Sequence, residues 1–431
     1  MRIGPVVFWV VLAAALGALV IVTRGPANPD DGRAGGVVTL GIDIAQVRSI
    51  RTEGDAGVSI ERAGSGGWLV RWTDSGRPVV WPADDELARA GLRVLAAAEF
   101  APRTGDERPD LAGSVLVRSE GGELRLRWGG SPIAGRIAAE IDAGDGPRAV
   151  WMEERLARAL DRASLMRWRS SSILRLASRP VGLEIEMPDR SVRLSASDGV
   201  WRLDGARTLA VDQALVDETL GDLGRMVAES FEEHAAEGPL AASVRVAGID
   251  GSERRLELIG AINAAGTRFA ARVSGLRGGV ELGPVGVVIN AEPLGRLSPD
   301  ARAYLRGTAI DGSRIDVASV ELVSAAGGVL ARATRSIDGW RSDADPGRFG
   351  AFVELLTDTK ASAIGDGSAS EPVGFVRVRD AALEAPIEIE LARRADGALE
   401  LVVRSEALAV SFEYADAEAQ RVLAWAAGLL G

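Results

Sequence analysis

The sequence predicts an α+β protein: an N-terminal transmembrane helix followed by three tandem repeats of a mainly antiparallel sheet packed with helices. Three observations lead there. A phrase of two strand-like runs, a glycine-poised tryptophan and an amphipathic helix recurs at near-equal intervals, with its tryptophan at Trp68, Trp201 and Trp340. The strand-like runs come in pairs split by short turns, and each copy has only two helical runs, which favours hairpins over βαβ crossovers. Residues 3–22 carry no charge at all.

Taken in order, that uncharged segment is long enough to cross a bilayer, because twenty helical residues at about 1.5 Å each span about 30 Å. A cleaved signal peptide is the alternative, with small residues at 13–15 as the cut; it would leave the apolar run 16–22 as a new terminus. Arg2 lies on one side of the segment and Arg24 and Arg33 on the other, so charge leaves the orientation open. Residues 1–23 are thus read as the anchor and 24–38, rich in Gly, Pro and Asp, as a flexible tether.

The first copy, 39–172, has strand runs at 47–51 and 58–62, then Gly66-Gly67-Trp68 opening a third, a helix over 84–98, strands at 114–118, 123–128 and 149–152, and a closing helix over 153–163. The second, 173–312, repeats this with strands at 181–187 and 191–194, Gly199-Val200-Trp201, a helix over 211–229, strands at 243–247, 254–259 and 285–289, and a helix over 293–305. The third, 313–431, gives 317–323 and 329–332, Gly339-Trp340, a helix over 346–359, strands at 373–379, 387–391 and 408–414, and a helix over 416–430. In the second helix Leu215, Val216, Leu220 and Leu223 share one face while Asp217, Glu218 and Asp222 take the other, so the stripe needs a sheet to cover it. Two copies plus an unrelated tail is the competing organisation.

Composition bounds the chemistry. With 61 acidic against 50 basic residues the net charge is −11, which disfavours nonspecific nucleic-acid binding. Nearly every basic residue is arginine, a coding bias that gives no single arginine a role by type. One histidine and no cysteine exclude a His-rich zinc site, a Cys-His nucleophile pair, an iron-sulfur cluster, a lipidated cysteine and disulfides. His234 with Glu232, Glu233 and Glu237 could be drawn as a divalent-metal patch, but reads first as a solvated acidic helix end. No phosphate loop ending in Gly-Lys and no Gly-x-Ser-x-Gly elbow is present, and Gly275 to Gly279 reads as a hairpin turn. Asp84 and Asp85 open a helix, where carboxylates cap free N–H groups. No catalytic residue, metal or cofactor is therefore expected.

Tryptophan is the over-used aromatic: ten, against two tyrosines and eight phenylalanines. Trp68, Trp201 and Trp340 are expected as equivalent core positions under their own helices. Trp68 and Trp72, four apart on a strand, together with Trp81 and Trp128, are the candidates for a stacking platform for a sugar or aromatic ligand, with core packing as the other reading.

The anchor, the strand pair, the Gly-Trp turn and a helix opening at Ala83-Asp84-Asp85 together resemble the bacterial domain of unknown function 4340 family over most of residues 40–431. The family's Gly-Leu-x-x-Pro approach to the later strands is replaced here by Arg108-Pro109-Asp110-Leu111. The resemblance implies a single-pass envelope protein encoded beside ABC-type transporters of the gliding-motility kind, in the inner membrane with its body outside the cytoplasm, and supplies no catalytic residues. The expected function is a non-catalytic, membrane-anchored scaffold or accessory subunit of an ABC-type transport or envelope-assembly complex, with a permease and ATPase as partners and no nucleic acid. A cell-envelope glycan-binding module and a hydrolase with dispersed carboxylates are the alternatives.

Overall fold

A computed structural model describes residues 38–430, apart from 41, 55–56, 65, 105–109, 207, 233, 235–236, 314, 368–369, 382–384 and 406–407. The expected transmembrane segment at 3–22 and its tether up to residue 37 lie outside the described residues; Val38, the last residue of the expected tether, opens a strand. Among the described residues no helix is long and apolar enough to cross a membrane.

The fold is mostly β: 49% of the described residues are in strands, which form three antiparallel sheets, and this corrects the expected α+β class. The first sheet contains β1 (Val38–Thr39), β2 (Val47–Thr52), β3 (Ser59–Arg62), β4 (Trp68–Asp74), β5 (Arg77–Pro82), β6 (Glu99–Pro102), β7 (Leu111–Ser119), β8 (Gly122–Ile133), β9 (Arg136–Asp142) and β10 (Arg148–Glu153). The second contains β11 (Pro180–Met187), β12 (Arg190–Ser197), β13 (Val200–Leu203), β14 (Ala228–Phe231), β15 (Ala242–Gly248), β16 (Glu253–Ala261), β17 (Arg268–Arg277) and β18 (Val280–Asn290). The third contains β19 (Val317–Ser324), β20 (Val329–Ser336), β21 (Gly339–Ser342), β22 (Ala363–Gly365), β23 (Glu371–Asp380), β24 (Ile387–Arg393), β25 (Leu399–Arg404) and β26 (Ala409–Glu413).

The three sheets share one strand order. The second runs β13-β12-β11-β15-β16-β17-β18-β14 and the third β21-β20-β19-β23-β24-β25-β26-β22, the same permutation. The first contains it as β4-β3-β2-β7-β8-β9-β10-β6, with β5 added at one edge and β1 at the other. In the second and third copies the chain leaves the tryptophan strand at one edge, forms a helix, and returns as a short strand at the far edge; in the first the same path passes through β5 before the helix, and β1 lies outside the returning β6. Those helices are α1 (Asp85–Ala96), α4 (Gln213–Gly224) and α5 (Pro346–Thr357). Each is opened by an aspartate, Asp84, Asp212 or Asp345, whose side chain accepts from N–H groups of the first turn.

Each helix buries one stripe: Ala88, Leu92 and Leu95 in α1, Val216, Thr219 and Leu223 in α4, Phe349, Phe352, Leu355 and Leu356 in α5. The first copy closes with the short α2 (Glu154–Ala159) and α3 (Arg162–Met166), the third with α6 (Ala417–Leu430). The helix expected over 293–305 is instead two 3-10 turns, Glu292–Arg296 and Ala301–Tyr304. Gly295 and the Ser298-Pro299-Asp300 break explain that outcome, since Pro299 disfavours helical backbone at Ser298. The helix expected over 211–229 stops at Gly224, and β14 follows directly.

Neighbouring copies are joined by a connector in which three backbone hydrogen bonds recur at equivalent positions and a fourth differs. After the first copy, Asp84 N–H donates to the Trp168 carbonyl (2.6 Å), Ser170 N–H to Pro82 (2.8 Å), Ile173 N–H to Met226 (3.2 Å) and Ala228 N–H to Ser171 (2.8 Å). After the second, Asp212 donates to Tyr304 (2.8 Å), Arg306 to Ala210 (2.8 Å), Ile310 to Leu356 (3.0 Å) and Ala361 to Gly307 (2.8 Å). Each connector thus ties the start of one copy's helix to the end of the next copy's helix and the segment that follows it: Met226 and Ala228 past α4, and Leu356 within the last turn of α5 and Ala361 past it. In the first copy β1 holds the incoming place, pairing Thr39 with Glu99 and Val38 with Phe100.

Candidate functional site

The junction between the first two copies gathers polar and aromatic groups from both. It is built by β5, the first copy's extra strand, which packs against β18 of the second. Trp81 of β5 is buried and its Nε1–H donates to the Ser170 carbonyl at 2.9 Å, fixing the connector from the side. Ala83 and Arg169 form an antiparallel bridge, and Ser172 forms another with Val227 of the second copy.

Arg169 is the hinge pin of this junction. Its guanidinium lies 4.1 Å from the ring of Phe231 in the second copy and 5.3 Å from Trp72 in the first, and its Nε–H donates to the Met166 carbonyl at 2.8 Å. Cation–π attraction from both copies helps hold a charge that burial pulls down to a pKa of about 10. Trp72, Arg162, Arg169, Phe231 and His234 line a cleft of about 500 Å³ here.

At its mouth His234 Nδ1 lies 2.9 Å from Asp74 Oδ1 and 3.4 Å from Ser75 Oγ. Ser75 takes a left-handed backbone (φ 48°) in the Asp74-Ser75-Gly76 turn. Ser, His and Asp together suggest a nucleophile relay, but a relay needs the serine on one ring nitrogen and the carboxylate on the other. Here both meet Nδ1. The trio is a turn-to-loop clasp between the copies. Among the described residues no group of three or more His, Asp or Glu side chains could hold a metal ion; Glu233 of the imagined patch lies outside them.

The tryptophans are placed as follows. Trp68, Trp72, Trp81, Trp128 and Trp201 are between 1% and 8% exposed, so stacking on a ligand would need ring faces the fold has covered. Trp128 presses on Gly113, where a Cβ would come within 2.3 Å of its ring, and Trp168 presses on Gly91 of α1. Trp72 alone of the platform candidates lines the Arg169 cleft. Trp68 and Trp201 share a tether: Asp85 Oδ1 accepts from Trp68 N–H (3.0 Å), and Gln213 Oε1 accepts from Trp201 N–H (2.7 Å) while its Nε2 donates back to the Trp201 carbonyl (3.0 Å). Trp340 is half-buried over Gly350 of α5.

Sequence reasoning passed over the arginines of the junction. One signal was available: Arg254 sits in β16 in phase with Leu256 and Leu258, both buried, so alternation alone points its side chain inward. Comparison with protein-family models, with curated proteins and with solved structures finds no match.

Proposed function

We propose that this chain is a non-catalytic tandem scaffold, held at a membrane through its uncharged residues 3–22, whose three sheet copies serve outside the cytoplasm as an accessory subunit of an ABC-type transport or envelope-assembly complex. The observation that supports it most is the repeated connector. Two junctions that share three equivalent backbone hydrogen bonds turn three copies into one array, and the first junction is further locked by Arg169, Trp81 and the His234–Asp74 clasp. An array held this way keeps its surfaces at fixed spacing, which is what a subunit bridging partners requires. The resemblance to the domain of unknown function 4340 family supplies the class of partner.

The test is affinity capture of the tagged full-length chain from native membranes. An ATPase and a permease should be recovered together in stoichiometric amounts, and Arg169→Ala, which loosens the first junction, should reduce their recovery. Recovery of the chain alone, from membranes in which its partners are expressed, would contradict the proposal.

A further inference from the structure

A second cleft at the same junction, of about 520 Å³, is lined by Asp85, Ser172, Arg175, Asp250, Arg254 and Arg277 among others. Arg254 is only 5% exposed, with its guanidinium carbon 5.3 Å from the Trp81 ring. Its Nε and Nη1 meet no hydrogen-bond acceptor among the described residues, and neither does the buried Ser172 Oγ have a partner there. Two side chains with three unpartnered donor atoms thus belong to one cleft lining.

The fold treats its other buried charges differently. Besides Arg254, the charged side chains buried among the described residues are Glu321, Glu390 and Glu400. Glu321 meets Arg332 at 2.5 Å, Glu390 meets Arg404 at 2.9 Å, and Glu400 accepts from Ser370. A buried charge with neither a counter-charge nor a hydrogen-bond partner is costly, so one left in that state calls for a partner from outside the chain. Arg277 adds a second positive charge: it reaches the Gly66 carbonyl at 3.2 Å, and a Cβ on Gly67 would lie 3.0 Å from its Nη2. Burial, and then the nearness of Arg277, lowers the Arg254 pKa to about 10.

The two aspartates of the lining are already engaged. Asp85 Oδ1 accepts from Trp68 N–H, and Asp250 Oδ1 accepts from Ser178 Oγ (2.5 Å) and Ser252 N–H (2.9 Å).

We propose that this cleft is a binding site for a small organic ligand through its oxyanion group, a carboxylate or a phosphate. The oxygens accept from Arg254 and from the Ser172 hydroxyl, and Arg175 and Arg277 add attraction at the rim. The cleft falls within the usual size of small-molecule pockets, about 300 to 1,000 Å³, and exceeds a bare anion, so the oxyanion is the head of a larger molecule. This site does not depend on the scaffold reading, and failure of partner capture leaves it standing.

The test uses the purified full-length chain in detergent, titrated at constant ionic strength with inorganic phosphate and, separately, with citrate, and read by thermal melting. At least one should raise the melting temperature in a saturable way: phosphate alone assigns a phosphate head, citrate alone a carboxylate, and both a site general for oxyanions. Arg254→Met should weaken the effect at least about tenfold, yet should not lower melting in oxyanion-free buffer, because it removes an unpaired buried charge and keeps an apolar stem on Trp81. If Arg254→Met fails to fold, Ser172→Ala and Arg277→Gln, followed by tryptophan fluorescence, carry the test, and each should weaken binding several-fold. No saturable shift with either anion, or wild-type affinity in these variants, would overturn the proposal.

Discussion

The first two copies and the third solve one problem in different ways. In all three the tryptophan strand must be held beneath the helix that follows it. In the first and second copies the first residue of that helix, Asp85 or Gln213, reaches back to the tryptophan main chain, and the rings of Trp68 and Trp201 are buried. In the third, Pro346 stands at that position and has no side-chain acceptor; β21 lies partly open and Trp340 is half-buried. Packing there shifts to the helices, where Trp425 of α6 meets Phe349 edge-on at 5.2 Å and Phe352 at 6.4 Å. A repeat can therefore keep its strand order and its capping aspartate while moving the weight of its core to another element.

The largest expected contrast lies in the tryptophans themselves. Trp68→Ala and Trp201→Ala should each cost about 3 to 5 kcal/mol in their own copy, whereas Trp340→Ala, whose ring keeps solvent contact, should cost about 1 to 2 kcal/mol. Denaturant unfolding of the full-length variants checks the ranking, and a Trp340→Ala cost equal to that of Trp201→Ala would break the comparison.

A second contrast is one of sign. A Cβ at Gly91 in α1 would lie 2.0 Å from the Trp168 ring, while at Gly350 in α5 the nearest neighbour is Trp340 Cδ1 at 3.4 Å. Gly91→Ala should destabilise by about 1 to 3 kcal/mol through overpacking. Gly350→Ala should instead stabilise by about 0.5 to 1 kcal/mol, because alanine costs less entropy in a helix and its methyl meets Trp340 at van der Waals contact without overlap. Paired melting curves decide it; equal signs would mean that the two helices sit alike on their sheets.

The tether itself is worth less. Gln213→Ala removes the two bonds to Trp201 and should cost about 1 to 2 kcal/mol, and Asp345→Ala, which removes only an N-cap, about 1 kcal/mol.

How far this was legible in the sequence follows from the same elements. The repeat could be read because Trp68, Trp201 and Trp340 each follow a glycine turn and precede an aspartate-capped helix, all local features. The fold class could not, because β6, β14 and β22 are three or four residues long and follow their helices closely, and alanine-bearing β9 has weak strand character. Those strands exist through pairing at the far edge of a sheet, which no local window contains. Trp68 and Trp72 share a strand, but the guanidiniums that lie over their rings come from Arg62 and Arg169, six and ninety-seven positions away in sequence. The junction was hidden for the same reason. The sequence places Arg169 in a polar run and His234 at an acidic stretch, and only the meeting of β5 with β18 makes them neighbours of Trp72 and Asp74.

Hydrogen exchange resolved by peptide, on the full-length protein and its Trp201→Ala variant, tests most directly the claim that each copy is one sheet with its own tryptophan-anchored core. The account predicts that protection falls across β11 to β18 and at the two connectors that touch that copy, while β23 to β26 keep wild-type protection. Unchanged protection in the second sheet, or an equal loss across all three, would contradict it.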